Sequence, residues 1–263
     1  MYIRQSPLCA ATAHIRGRCV SLEKKKMNIQ DETYKILGQR LLDEFDSIKM
    51  VEWAVDAIKM GYDSESLIIL AGLDFESTEE RENYFWKSVK ELNLNIKREE
   101  SELINDYAKY VANAVLNNQL SAKSGLKKMM IICSSTGYDS KYIQFYQLNE
   151  DLDYLKYDEE FPPIYNQGIT LENIDGFILK EFKLFLECEN LGIEREMLDK
   201  VICNNCGQIT KPDLKTKFQI KKPFKIKEFI CRNCKSNKID SFGSQIGKEK
   251  ILKKIKTRHN IKG

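Results

Sequence analysis

Four cysteines in the C-terminal part of the chain form two Cys-x-x-Cys pairs, Cys203 with Cys206 and Cys231 with Cys234. Structural zinc takes four ligands in a tetrahedron, and a two-residue gap brings paired sulfurs to a suitable separation. Because four thiolates leave no open coordination position, the pattern predicts one structural zinc ion rather than a catalytic one. A disulfide or a redox Cys-x-x-Cys is the alternative, but neither pair has the strand and helix that flank thioredoxin-like motifs.

An alternating segment lies between the two cysteine pairs. From Lys217 to Ile230, apolar side chains share one parity and lysines the other, which is the period of a β-strand. We therefore expect the lysines to form one exposed row and the apolar parity to be buried. The apolar parity consists of Phe218, Ile220, Phe224, Ile226 and Ile230. Pro223 marks an edge strand or a break between two strands.

The two cysteine pairs, with the strand that leads into the second pair, resemble the zinc-ribbon fold. The resemblance covers about sixty residues and implies that each pair lies on a turn that joins a β-hairpin. It also implies that the metal stabilises a module too small to bury a core of its own. The helical residues before this module carry no motif of a family that we recognise.

Residues 29–190 have the three-four spacing of apolar side chains that is typical of amphipathic helices. The clearest segments are Asp31–Ile48, Met50–Met60, Glu99–Leu116 and Leu171–Asn190. Ser77 and Glu80 have the spacing of a capping box. The sequence Gly-Tyr-Asp-Ser, at residues 61–64 and again at 137–140, is typical of a helix end followed by a helix start. The sequence therefore predicts a mainly α protein, a multi-helix bundle with a small C-terminal β zinc ribbon.

Charge divides the chain in the same way. Residues 27–200 hold 19 Lys and Arg against 34 Asp and Glu, whereas residues 201–263 hold 17 against 4. We expect an acidic all-helical domain over residues 27–195 and a basic zinc-ribbon domain, with a terminal basic segment, over residues 196–263. Residues 1–26 show no helical or strand period, and we expect the natural chain to begin at Met27. An organelle-targeting peptide is the alternative for this leader.

Histidine occurs only as His14 and His259. This excludes Ser-His-Asp and Cys-His catalysis, and the His-Glu-x-x-His metal site, from the helical part of the chain. No Gly-rich phosphate-binding motif is present either. The sequence therefore favours a non-catalytic protein, and it leaves open an enzyme that uses only carboxylates or a lysine.

The lysines of the basic domain predict binding to RNA or DNA with little sequence preference, because such residues neutralise phosphates. The candidate contact residues are Lys217, Lys221, Lys225, Lys227, Lys250, Lys253 and Lys254. If Phe218 and Phe224 are buried, as their parity indicates, no exposed aromatic ring accompanies these lysines.

Two other hypotheses give the acidic domain a role. In one, the helical body binds a basic protein partner and the zinc is purely structural; in charge and helicity alone, such a body is similar to bacterial immunity or antitoxin proteins. In the other, the basic tail docks on the acidic body of its own chain. No apolar run is long enough to span a membrane. Four metal-bound thiolates require a reducing compartment, which predicts a cytoplasmic location.

Overall fold

A computed structural model describes residues 28–42, 45–97, 99–157 and 163–260. Within these ranges the chain is mainly helical, with a small antiparallel β region near its C-terminal end, and this confirms the predicted fold class. The helices are α1 (Ile29–Leu41), α2 (Ile48–Lys59), α3 (Glu65–Leu70), α4 (Thr78–Glu91), α5 (Glu100–Leu116), α6 (Ala122–Ser135), α7 (Ile143–Tyr157), α8 (Ile174–Asn190) and α9 (Gln245–Asn260). The predicted leader, residues 1–26, lies outside the described residues.

Short polar side chains begin several of these helices. The hydroxyls of Ser64, Ser77 and Ser121 each accept a hydrogen bond from the backbone N–H three residues later. For Ser77 that donor is Glu80, which is one half of the predicted capping box. The segment expected as one helix from Asp31 to Ile48 is divided: α1 ends at Leu41, and Asp46 accepts from the backbone N–H that opens α2.

The helical body contains two apolar clusters that meet along α5. The first joins α1 to α4 around Met50, Leu67 and Phe85, and the second joins α5 to α8 around Phe145 and Phe182. Because a side chain at Gly38 would collide with the Tyr107 ring, this glycine is what lets α1 lie closely against α5. The three-four spacing of the sequence therefore corresponds to real buried faces.

The β region contains two small sheets, one of them a long hairpin. Its strands are β1 (Val201–Cys203), β2 (Ile209–Thr210), β3 (Pro212–Phe218), β4 (Lys225–Cys231) and β5 (Ile239–Ser241). Three strands pair in the order β2-β1-β5, and β3 pairs with β4 from Pro212↔Cys231 to Phe218↔Lys225. Helix α9 packs against β1, β5 and α8, so it joins the β region to the helical body.

Candidate metal centre

The four predicted cysteine ligands come together in the β region. Their Sγ atoms all lie within 4.8 Å of one another. The Sγ of Cys203 is 3.5 Å from that of Cys234, and the Sγ of Cys206 is 3.7 Å from that of Cys231. A tetrahedron with zinc–sulfur bonds of about 2.3 Å has edges of about 3.8 Å. The separation of the sulfurs therefore fits a single metal ion of that size.

The two Cys-x-x-Cys turns have the same backbone structure. In the first, Gly207 N–H donates to Cys203 O at 2.8 Å; in the second, Lys235 N–H donates to Cys231 O at 2.9 Å. Gly207 and Lys235 both have positive φ, at 69° and 57°. Glycine adopts a positive φ without steric cost, which suits Gly207 to the first turn. Lys235 is held at its positive φ by the hydrogen bond of the second turn.

Two asparagines link the turns to each other. Asn205 Nδ2 donates to Cys234 Sγ at 3.6 Å, and Asn233 Nδ2 donates to Cys206 Sγ at 3.8 Å. Each amide therefore reaches the second cysteine of the opposite pair. Outer contacts of this kind hold ligands in orientation and stabilise their charge. The spacing of the cysteines did not reveal this role, although both pairs carry asparagine at the third position.

Hydrogen bonds favour the thiolate form of the second pair. The backbone N–H of Ser236, followed by the Asn205 amide, lowers the pKa of Cys234 to about 6. The backbone N–H of Cys234 likewise lowers the pKa of Cys231. Because metals bind the thiolate and not the thiol, these donors prepare the pair for a cation. The arrangement has four sulfur ligands, so it suits a metal that stabilises the fold.

Helix α9 supports the first turn. Lys254 Nζ donates to Gly207 O, and Lys250 Nζ donates to Asn204 Oδ1 and to Asp240 Oδ2. Two of the lysines proposed for phosphate contact are thus engaged within the module. Lys253, on the same helix, is exposed.

The hairpin of β3 and β4 extends from the second cysteine pair into solvent. Buried residues occur only at its metal end, where Ile230 and Cys231 lie, and both strands become exposed further out. The prediction of a buried apolar parity is therefore wrong for most of its members, including Phe218 and Phe224. No layer of the described structure covers either face of the outer hairpin, and only Ile230 is buried as expected.

The predicted hairpin lysines do not form one row. In the register of the hairpin, Phe218 lies opposite Lys225 and Lys217 lies opposite Ile226. Lys225 and Lys227 therefore share one face, whereas Lys217 lies on the other and Lys221 lies in the connecting loop. All four are exposed, and no acidic side chain of the described residues is within salt-bridge distance of any of them.

The remaining described cysteines lie in the helical body. Cys133 is buried and Cys188 is half-buried. Burial raises the pKa of each thiol to about 11, so both are protonated and unreactive at neutral pH. Cys9 and Cys19 lie outside the described residues.

A cavity of about 370 Å³ lies where α5, α7 and α8 approach the β region. Lys141 Nζ, in its wall, is 2.6 Å from Asn105 Oδ1 and 2.8 Å from Glu189 Oε1. Asn105 Nδ2 in turn donates to Glu189 Oε2 at 2.8 Å. These three side chains bond to one another and form one hydrogen-bonded group in the cavity wall.

Comparison of the chain with protein-family models, with curated proteins and with solved structures gives no match in any of the three. Within the described residues, no helix combines the length and the apolar character needed to cross a bilayer.

Proposed function

We propose that this protein binds one structural zinc ion and that its β3–β4 hairpin binds nucleic acid with little sequence preference. Zinc is the metal that suits the donor set, because four thiolates in a tetrahedron are typical of structural zinc sites. The ion would be held by Cys203, Cys206, Cys231 and Cys234. It would anchor the base of the hairpin, since β4 ends at Cys231.

The observation that carries the nucleic-acid proposal is the composition and exposure of the hairpin. Residues 212–231 hold six lysines against two acidic residues. One of those acids, Asp213, is already paired with Arg232 and Lys235. An uncompensated group of lysines attracts phosphates by releasing their counterions. Contacts of this type position a protein on nucleic acid and carry no sequence information, which supports weak sequence preference.

The proposal distinguishes two groups of lysines in the basic tail, those of α9 and those of the hairpin. Lys248 and Lys256 of α9 pair with Glu181 and Glu187 of α8, in line with the hypothesis that the tail docks on its own body. The hairpin lysines have no such partner among the described residues. We therefore assign nucleic-acid contact to Lys217, Lys221, Lys225 and Lys227, with Lys253 as an addition from α9. Binding of a basic protein by the acidic body stays a prediction.

The test is fluorescence anisotropy of labelled short RNA and DNA across a salt series, with the zinc-loaded full chain. The variant Lys217→Gln, Lys221→Gln, Lys225→Gln, Lys227→Gln should bind more weakly, and its slope of log K against log salt should decrease by up to about 3. The matched control places the same four changes on exposed lysines of the helical body: Lys59, Lys87, Lys90 and Lys127. Equal loss in both variants, or no binding by the unaltered protein, would contradict the proposal.

A further inference from the structure

We infer that the hairpin binds unpaired stretches of nucleic acid, by stacking bases on Phe218 and Phe229. This inference rests on the proposed function and specifies the ligand as single-stranded. The sequence pattern did not reveal that the aromatic side chains of the hairpin are in solvent.

Three phenylalanines of the hairpin expose most of their surface. The exposed fractions are 71% for Phe218, 55% for Phe224 and 60% for Phe229. Large apolar side chains are usually buried, and a group of them in solvent on one small element marks an interaction surface. The hairpin contributes no core that would require them, because both of its outer faces are open. These rings are therefore available to a ligand.

The strand register arranges aromatic rings and cations on one face. Beyond the pair Pro212↔Cys231 at the metal end, that face carries three cross-strand pairs, Leu214↔Phe229, Thr216↔Lys227 and Phe218↔Lys225. Phe218 and Phe229 lie four residues apart along the face, or about 14 Å at the rise of a β-strand. Lys227 lies between them, and Lys225 Nζ is 5.4 Å from the centre of the Phe218 ring. A flexible strand could place bases on the rings and phosphates near the lysines.

The chemistry of the rings favours single strands over duplexes. In a duplex the base faces are covered by neighbouring bases, and a protein meets only phosphates and groove edges. Phenylalanine has no donor or acceptor with which to recognise those edges. Every unpaired base, by contrast, offers a π-face on which an aromatic side chain can stack, irrespective of sequence. Lysine with exposed phenylalanine therefore fits unpaired nucleic acid with weak sequence preference.

The first experiment compares a single strand with the duplex of the same sequence by fluorescence anisotropy. In the variant Phe218→Leu, Phe229→Leu the surface stays apolar but loses its π-faces. We expect its affinity for the single strand to fall by about 10-fold or more, and its affinity for the duplex to stay the same. The control is Phe75→Leu, which removes a fully exposed ring from the helical body. One bound zinc per chain in each variant confirms that the module is folded.

A second variant measures stacking directly. Phe218→Trp keeps a π-face and adds a fluorophore, so single-stranded nucleic acid should quench its emission while the affinity is retained or increased. The protein's own Trp53 is buried and Trp86 lies on α4, so neither should respond. The unaltered protein with the same oligonucleotide provides the background.

The outcomes separate the inference from the function on which it rests. If the lysine variant loses binding and the phenylalanine variant does not, the hairpin binds phosphates and the stacking inference is wrong. Equal affinity for duplex and single strand overturns the inference in the same way. If no nucleic acid binds, both proposals fail. If the unaltered protein then binds anionic lipid vesicles and the phenylalanine variant does not, this face of the hairpin binds a membrane surface instead.

Discussion

Asn205 and Asn233 contact the candidate metal ligands, since each donates to a cysteine of the opposite turn. Replacing both by leucine removes these donors and leaves the four sulfurs in place. We expect the zinc affinity of the double variant to fall by about 10- to 100-fold, as is typical of lost outer contacts. Competition with a chromophoric chelator measures this. Asn237→Leu, an exposed position of the same module, is the control, and an equal affinity in all three proteins would contradict the role.

Asp151 stabilises the helical body through a buried carboxylate. Its oxygens accept from the backbone N–H groups of Tyr165 and Asn166 and from the Asn166 side chain, all at 2.8 to 2.9 Å. Asp151→Ala removes the buried acceptor of three hydrogen bonds whose donors lie on partly exposed residues, so we expect a loss of about 2 kcal/mol in the free energy of unfolding. Urea denaturation followed by circular dichroism measures it. Asp153→Ala, on the exposed side of α7, should cost less than about 1 kcal/mol, and a similar loss in both would contradict the prediction.

The residues of the metal centre differ in how far the sequence could predict them. Cys203, Cys206, Cys231 and Cys234 were predictable because the chemistry of a zinc ligand constrains their local spacing. The asparagine at the third position of each pair is also visible in the sequence. Its function is not, because each amide bonds to a cysteine 29 or 27 residues away, across the metal centre. That contact depends on how the two turns face each other.

At the level of elements, the helical character of residues 29–190 was predictable and the faces of the hairpin were not. The buried face of a helix can be read from the spacing of its apolar residues, as with Tyr107 and Val111, which are four positions apart on α5 and both buried. The hairpin reverses direction between Phe218 and Lys225, and its register places residues of opposite parity on the same face. Lysines of one parity in the sequence therefore lie on two different faces of the hairpin. Burial of the apolar residues also required a covering layer, and strand period alone does not reveal whether one exists.

The contact between α8 and α9 includes a buried ion pair. Lys248 donates to Glu181 Oε1, both side chains are buried, and Glu181 Oε2 has no hydrogen-bond partner among the described residues. Lys248→Met leaves an unpaired buried carboxylate, so we expect it to destabilise the protein by about 3 to 5 kcal/mol. The double variant with Glu181→Leu should recover most of this loss.

Thermal and urea unfolding of the two single variants and the double variant measure this coupling. Lys256→Met removes a partly exposed pair on the same helix, with Glu187, and should cost less than about 1 kcal/mol. Additive losses from the two buried positions would show that the pair does not act as a unit.

At the scale of the whole molecule, opposite charges are separated along the sequence and only partly neutralised in the fold. Three lysines of α9, Lys248, Lys250 and Lys256, form ion pairs within the chain, with Glu181 and Glu187 of α8 and with Asp240 of the β region. The hairpin keeps its lysines in solvent. The sequence predicted the total charge of the tail but not this division, because pairs such as Lys248 with Glu181 join residues 67 positions apart. The basic charge of the described tail is therefore left unpaired chiefly on the hairpin.

Removal of the metal should separate the stability of the β region from that of the helical body. The body has its own two apolar clusters, whereas the β region has a small core around Ile202, Phe242 and Ile251. Because metal binding supplies folding free energy to such modules, about 10 to 16 kcal/mol in small zinc peptides, we expect a strong chelator to unfold β1–β5 and leave α1–α8 folded.

Hydrogen exchange of the chelator-treated protein should show lost amide protection only in the C-terminal part. Nucleic-acid binding should be lost as well, and added zinc should restore it. Cys203→Ser should reproduce the loss without chelator, and Cys188→Ala, outside the metal centre, should not. Full protection of the hairpin amides in zinc-free protein would show that the module folds without its metal.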